Sequence, residues 1–400
     1  MMKEDLKQEE QVEKIEEYLT GQLISCEKCH LCNTDCPVFD YRITRGSFGI
    51  NRAIYYGIKW NRFSKELRDL VYSCATCGKC EVTCKHVSRA LPLVDIFEKA
   101  RELLFVEKMI GPMPDQRDVI KNIFRKGNPW GYPPADRTKW AEGLGIRFAS
   151  KAGRVDILYY VGCTTSYDPQ TQKIAVSLSK IMTEAGINFG ILEKEQSSGS
   201  EARRMGETGL FDHMAEGNLK MFEEAGIDHI VTGDPHDFYS LSHEYPKKGT
   251  GLKVEHSTQF LKRLVEEGRL KLSLKIQKKV TYHDPCYLGR RSGVFEEPRK
   301  LIEMISGVTF VEMEKFGKDS DCCGMGGGRM WMELPKGFVS SQPIAERRVK
   351  QALDTGAEVL LTACPFCRIT LGDAIKAMKA EESLRVMDIA ELVVQAMAEV

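Results

Sequence analysis

Residues 279–286, Lys279-Val280-Thr281-Tyr282-His283-Asp284-Pro285-Cys286, run from an apolar strand into a turn that ends on a cysteine. The same phrase occurs earlier, where Arg154–Val161 is an apolar strand ending in Gly162-Cys163. In both places a helical stretch follows, then a second strand, Asn188–Leu192 and Thr309–Met313. The next loops read Ser197-Ser198-Gly199 and Cys322-Cys323-Gly324. After a further helix and a third strand, Thr232-Gly233-Asp234-Pro235-His236-Asp237 faces Thr362-Ala363-Cys364-Pro365-Phe366-Cys367. Val254 then opens into a helix through Phe260 and Leu264, as Val386 does through Leu392 and Met397. The offset between corresponding positions drifts only from 123 to 132 residues, so the chain contains an internal duplication.

Strands alternating with helices predict a parallel α/β sheet in each copy, spanning residues 151–272 and 273–400. Ligands of such sheets collect beyond the carboxyl ends of the strands. All the cysteine-bearing loops of the second copy fall there, so Cys286, Cys322, Cys323, Cys364 and Cys367 are expected to build one site. The corresponding positions of the first copy are Cys163, Ser197, Ser198, Asp234 and Asp237. Serine and aspartate are hard oxygen donors and replace thiolates poorly at a soft-metal site, so no such site is expected in that copy. Cys163 then reads either as a leftover buried thiol or as a redox-active one. His283, beside Cys286, is a candidate proton donor, and Arg290 and Arg291 are candidates for holding an anionic substrate. Each of the three has a structural reading of similar weight.

The first 110 residues carry a different signature. Cys26-x2-Cys29-x2-Cys32-x3-Cys36-Pro37 returns as Cys74-x2-Cys77-x2-Cys80-x3-Cys84, followed by Lys85. This is bacterial ferredoxin spacing, in which the fourth cysteine of each run reaches the other cluster. Cys26, Cys29, Cys32 and Cys84 are therefore expected to hold one [4Fe–4S] cluster, and Cys74, Cys77, Cys80 and Cys36 the second. Zinc also uses Cys-x2-Cys pairs, but it gives no reason for an unbroken triple run twice. Asn51–Ile58, Ser64–Val71 and Leu93–Leu104 read as helices, and residues 3–20 read as a surface helix with a solvated charged face. His30 and His86 flank the runs and read best as surface histidines. Residues 111–150 are dense in proline and glycine and read as a linker packed on a domain.

The remaining composition bounds the function. The 400 residues are 42% apolar and 28% charged, an ordinary globular balance, with formal net charge zero. There is thus no electrostatic case for nucleic acid. No apolar run approaches a membrane span, and the charged start lacks the apolar core of a signal peptide, so a cytoplasmic address is expected, with peripheral membrane attachment through a partner as a variant. Fourteen cysteines in such a chain argue for metal or redox chemistry over disulfides. The run Gly324–Gly328 lacks a following Gly-Lys-Ser/Thr and reads as backbone packing around a cluster. No Rossmann fingerprint follows a strand, so no flavin or nicotinamide is expected on this chain.

The pattern Cys286…Cys322-Cys323-Gly324…Cys364-Pro365-Phe366-Cys367, with Gly324–Arg329 and Ala345-Glu346-Arg347-Arg348, resembles the CCG domain of heterodisulfide reductase catalytic subunits. The N-terminal module resembles the α-helical ferredoxin of succinate dehydrogenase and heterodisulfide reductase subunits. Together the resemblance covers nearly the whole chain. It implies a noncubane [4Fe–4S] cluster on the five cysteines, able to bind a substrate sulfur, fed by the two ferredoxin-type clusters. Disulfide chemistry needs two electrons while clusters pass one at a time, so a half-reduced sulfur must be held between steps. The resemblance also implies partner redox subunits: a flavoprotein, a ferredoxin-like protein, or a membrane cytochrome or quinone-linked subunit. CCG subunits of this shape also resemble electron-conduit partners of flavin-dependent glycolate and lactate dehydrogenases and of benzoyl-CoA reductases. The predicted fold class is accordingly α+β multidomain, an α-helical ferredoxin module followed by two duplicated α/β domains, the first degenerate.

Overall fold

The computed structural model describes residues 2–26, 29–39, 46–86, 90–106, 110–149, 153–245, 251–333 and 343–397, without the side chains of 2–9, 86 and 106. The chain forms two compact units. The first comprises residues 1–121, 201–211 and 324–344, and the second comprises 122–200, 212–323 and 345–400.

The first unit is helical. Its opening helix, Met2–Leu23, buries Val12, Ile15, Leu19 and Leu23 at three- and four-residue spacing against helices Gly46–Lys59 and Leu93–Val106. Its charged face stays in solvent, apart from Tyr18, which donates to Asp95 at 2.5 Å, and Gln11, which donates to Glu102 at 3.1 Å. The helix Lys65–Tyr72 begins where Ser64 Oγ accepts from Leu67 N (3.3 Å), the capping expected of serine before an apolar-periodic run. Residues 111–150, read as too rich in breakers for regular elements, include a thirteen-residue helix, Pro114–Lys126. Proline opens it, where the missing N–H would have had no partner anyway.

The second unit contains both sheets. β1 (Ile157–Tyr160), β2 (Phe189–Gly190), β3 (His229–Thr232) and β4 (Lys253–His256) form a parallel sheet in the order β2-β1-β3-β4. β5 (Lys278–Tyr282), β6 (Val308–Phe310), β7 (Val359–Thr362) and β8 (Arg385–Asp388) repeat it as β6-β5-β7-β8. The duplicated α/β fold read from the sequence is thus present, with one more strand per copy. β4 and β8 are four-residue edge strands in charged sequence, where alternation has too few residues to register.

The copies are related by an approximate two-fold. Helix Gln172–Glu184 of the first packs on Ile389–Ala396 of the second, while Ser257–Glu266 of the first packs on Glu296–Glu303 of the second. Each copy thus sets its last helix on the other's first, as in an isologous dimer interface. Tyr159, Leu178 and Phe260 share one core with Val280, Leu301 and Leu392.

Candidate iron–sulfur centres

In the first unit the cysteines gather into two cavities. Cys26, Cys29, Cys32 and Cys84 line one, with Phe48, Leu91 and Leu93. Cys36, Cys74, Cys77 and Cys80 line the other, with Pro37, Val38, Ile50, Val94 and Phe97. Each run thus sends its fourth cysteine to the other run's cavity. Four thiols converging in a largely apolar lining suit a thiolate-ligated cluster, and Ser47, which also lines the second cavity, has its hydroxyl donating to the Cys32 carbonyl. Burial raises the pKa of Cys26, Cys32, Cys36 and Cys80, and pushes Cys74 up to about 11. Metal binding would have to displace those protons. Hydrogen bonds meet the sulfurs: Asn51 Nδ2 donates to Cys26 Sγ (3.6 Å), Thr76 N to Cys74 Sγ (3.3 Å) and Leu91 N to Cys84 Sγ (3.3 Å). His30 is exposed and rests edge-on against Phe48, and the side chain of His86 lies outside the described residues.

The glycine-rich run also belongs to this unit. A Cβ on Gly326 would fall 2.5 Å from the Ala75 carbonyl oxygen, and one on Gly327 would fall 2.7 Å from that of Cys74. These glycines let the segment lie directly on the Cys74–Thr76 turn. Their missing side chains thus serve close backbone packing on the segment that carries Cys74.

In the second unit Cys286, Cys322, Cys323, Cys364 and Cys367 are all buried beyond the carboxyl ends of β5, β6 and β7. Cys364 N-caps the helix Pro365–Ala377, which places Cys367 in its first turn. Cys367 Sγ donates to Cys323 Sγ at 3.5 Å, and both sulfurs lie with a ring nitrogen of His283 within 4.8 Å of one another. Hydrogen bonds from Cys322, Cys367 and His283 outweigh burial and hold Cys323 well below the usual thiol range, while Cys367 is pushed up. His283 is 1% exposed, and burial lowers its pKa. Its Nδ1 accepts from Arg348 Nε at 3.1 Å, which fixes the ring proton on Nε2. Arg348, fully buried, also donates to Lys315 O, Gln351 Oε1 and Ser320 Oγ. Arg290 is committed to the carbonyls of Lys318 and Ser320, and Arg291 to the Tyr239 hydroxyl.

The degenerate copy has filled its site with protein. Arg137, from the short helix Pro134–Ala141, donates to Cys163 Sγ at 3.0 Å and pairs with Glu195 at 3.3 Å, with both charged side chains buried. Glu195 accepts from Val161 N and Gly162 N (2.9 and 3.0 Å). Burial works against the charge on Arg137, but Cys163 and Glu195 outweigh it and raise its pKa. Ser198 donates to Asp237 at 2.6 Å, and Asp234 caps His236 N. His236, in the position equivalent to Phe366, packs edge-on against it (5.1 Å) and tilted against Tyr287 (4.2 Å), so corresponding residues meet near the two-fold. Sequence reasoning missed Arg137, Glu195, Arg348 and His236. Only Arg348 carried a signal, its place in the Ala345–Arg348 segment.

Residues 157–242 and 280–372 match the cysteine-rich domain family model (CCG), and residues 25–87 match that of the 4Fe-4S dicluster domain. Over 403 residues the chain is 33% identical to a subunit of the dihydromethanophenazine:CoB–CoM heterodisulfide reductase of Methanosarcina acetivorans, covering 94% of each. The chain belongs to the CCG-domain iron–sulfur oxidoreductases. Among these it is also 37% identical to the probable iron–sulfur-binding oxidoreductase FadF of Bacillus subtilis, over 81% of this chain and 46% of that protein. It is 34% identical to the EtfAB:quinone oxidoreductase of Syntrophomonas wolfei, over 82% of this chain and 47% of that protein. The chain thus spans about half the length of these two relatives. A crystal structure of a hypothetical protein from Helicobacter pylori has a similar fold (TM-score 0.54, 9% identity, 90% of this chain and 69% of that one). Two ferredoxin-type [4Fe–4S] clusters and one noncubane [4Fe–4S] cluster are the cofactors of this CCG-domain oxidoreductase.

Proposed function

We propose that this CCG-domain protein is a redox-complex subunit that carries electrons to or from a sulfur substrate at the second α/β copy, in thiol/disulfide chemistry of the heterodisulfide reductase kind. The ferredoxin-type clusters would be held by Cys26, Cys29, Cys32 and Cys84, and by Cys36, Cys74, Cys77 and Cys80. Cys286, Cys322, Cys323, Cys364 and Cys367 would hold the third. When bound, the clusters supply one-electron steps and, at the third, iron able to take a sulfur ligand.

The observation that carries this reading is the buried group of Cys323, Cys367 and His283, whose ligating atoms lie within 4.8 Å of one another. The chain's own residues do the rest. Arg348 donates to His283 Nδ1, which places the ring proton on Nε2 and keeps the imidazole neutral, so His283 would serve as a hydrogen-bond donor that orients a sulfur rather than as a source of a proton. Burial of all five sulfurs excludes water from the exchange. The partners would be other redox subunits (a flavoprotein, a ferredoxin-like protein, or a quinone- or cytochrome-linked membrane subunit), and the setting cytoplasmic or at the membrane surface. No helix among the described residues is long and apolar enough to cross a membrane.

A second reading is favoured by the degenerate copy. With Ser197, Ser198, Asp234 and Asp237 where thiolates would be needed and Arg137 bonded to Cys163, no adjacent pair of clusters would divide the halves of a disulfide between them. The chain would then be an electron conduit within a larger flavin- or molybdenum/tungsten-containing complex. EPR of the anaerobic oxidised protein, with and without a candidate thiol, separates the two. A thiol-dependent paramagnetic signal that disappears in Cys323→Ala supports the first reading. No thiol response, with Cys323→Ala passing electrons at the wild-type rate, leaves the conduit.

A further inference from the structure

Arg101 is fully buried in the first unit. Its Nη2 donates to the carbonyls of Val71 (3.1 Å) and Cys74 (2.6 Å), and its Nη1 donates to those of Arg204 and Gly327 (2.7 Å each). Every one of these acceptors is a neutral main-chain oxygen, and Arg101 makes no ion pair among the described residues. Arg329, 8% exposed, comes to the same turn from another segment, with Nη1 donating to Ser73 O (2.6 Å) and Nε to Gly324 O (2.7 Å). Two buried guanidinium groups therefore bracket the turn that starts one cluster cavity.

From this arrangement we propose that Arg101 and Arg329 raise the reduction potential of the cluster at Cys36, Cys74, Cys77 and Cys80, making it the higher-potential member of the ferredoxin-type pair. The inference rests on the cluster reading above. One-electron reduction forms and breaks no bond, and it makes the cluster one unit more negative. A buried cation stabilises that added charge strongly in a low-dielectric interior. Glu81, only half-buried, bears on Cys80 with the opposite sign, and solvent weakens its effect. On the side of the other cavity Arg52 is only partly buried, so solvent screens it more than it does Arg101 and Arg329. Electrons entering at the Cys26 cluster would then run downhill to the Cys74 cluster.

The test is an EPR-monitored potentiometric titration of the full-length anaerobic protein, with iron and sulfide content measured on every sample. The two signals are assigned by the change that Cys77→Ala produces in one of them. The Cys74 cluster should have the higher midpoint. Arg329→Gln should lower that midpoint and leave the other unmoved, and Arg329→Lys should keep most of it. Arg101→Lys and Arg101→Gln repeat the comparison at the more central position, so the Arg329 pair decides the matter if an Arg101 variant fails to fold. The proposal is overturned if the Cys74 cluster has the lower midpoint or if Arg329→Gln, with full iron, leaves it unmoved. A shift in Arg329→Lys as large as in Arg329→Gln also overturns it, since shape rather than charge would then be responsible. Wild-type protein lacking iron and sulfide at these cysteines would instead remove the cluster reading itself.

Discussion

Arg137 is tied to its place by two buried groups that depend on it, Cys163 and Glu195. Removing it leaves Glu195 and Cys163 buried with only main-chain N–H groups to answer Glu195. Arg137→Ala should therefore cost about 3 kcal/mol in denaturant unfolding. Adding Glu195→Gln should recover part of that loss, since the uncompensated charge goes with it. A second residue pair makes a pH prediction. His256 and Asp388 are equivalent N-caps, each completing a capping box, and both are buried. Burial lowers His256 from 6.5 to about 3 and raises Asp388 from 3.8 to about 7. The contribution of His256 is full above its unfolded pKa and is lost as pH falls toward 3. That of Asp388 is full below its unfolded pKa and is lost as pH rises through 7. Between about pH 4 and 6.5 the slopes oppose, each about 1.4 kcal/mol per pH unit at most. Asp388→Asn should leave a protein whose thermal midpoint rises with pH across that window. His256→Asn should leave one whose midpoint falls. Parallel pH profiles in the two variants would contradict both assignments. Nothing in the sequence pattern marks Arg137, because a salt bridge joining residues 58 positions apart leaves no local period.

The most constrained element is the glycine-rich run. Gly327 has φ +63°, and its missing Cβ makes room for the Cys74 carbonyl, while Gly326 makes room for that of Ala75. Gly326→Ala should lift the segment off the Cys74–Thr76 turn at about 1–3 kcal/mol. The measurement is iron retention and the EPR signal of the Cys74 cluster, with the Cys26 cluster as internal control. Equal retention at both would show that the close approach does not matter to the cluster. The run was legible as close backbone packing, but not as packing on the Cys74–Thr76 turn. Sequence spacing does not say which of several cysteine sites a distant loop reaches. The strands were legible from their apolar runs, and β4 and β8 were not, since Lys253-Val254-Glu255-His256 owes its extended form to the neighbour β3.

Across the whole molecule, the duplication explains why so much could be read from one sequence: each copy supplied a comparison for the other. The comparison located the five-cysteine site and showed its sibling stripped of thiolates. It could not show that the stripped site had been refilled by Arg137 from outside the repeat. The anaerobic protein should accordingly hold about 12 iron atoms per chain, four for each of three clusters. A content near 16 would mean that the first copy still binds one. The division into units carries a last consequence, for the order in which the molecule is made. The ferredoxin module is finished by residues 201–211 and 324–344, so Arg101 meets Arg204 and Gly327 only after most of the chain has left the ribosome. The Cys74 turn, translated early, must wait for its last supports. An iron–sulfur assembly factor acting on the nascent chain would find the first cysteines in place and the lining incomplete.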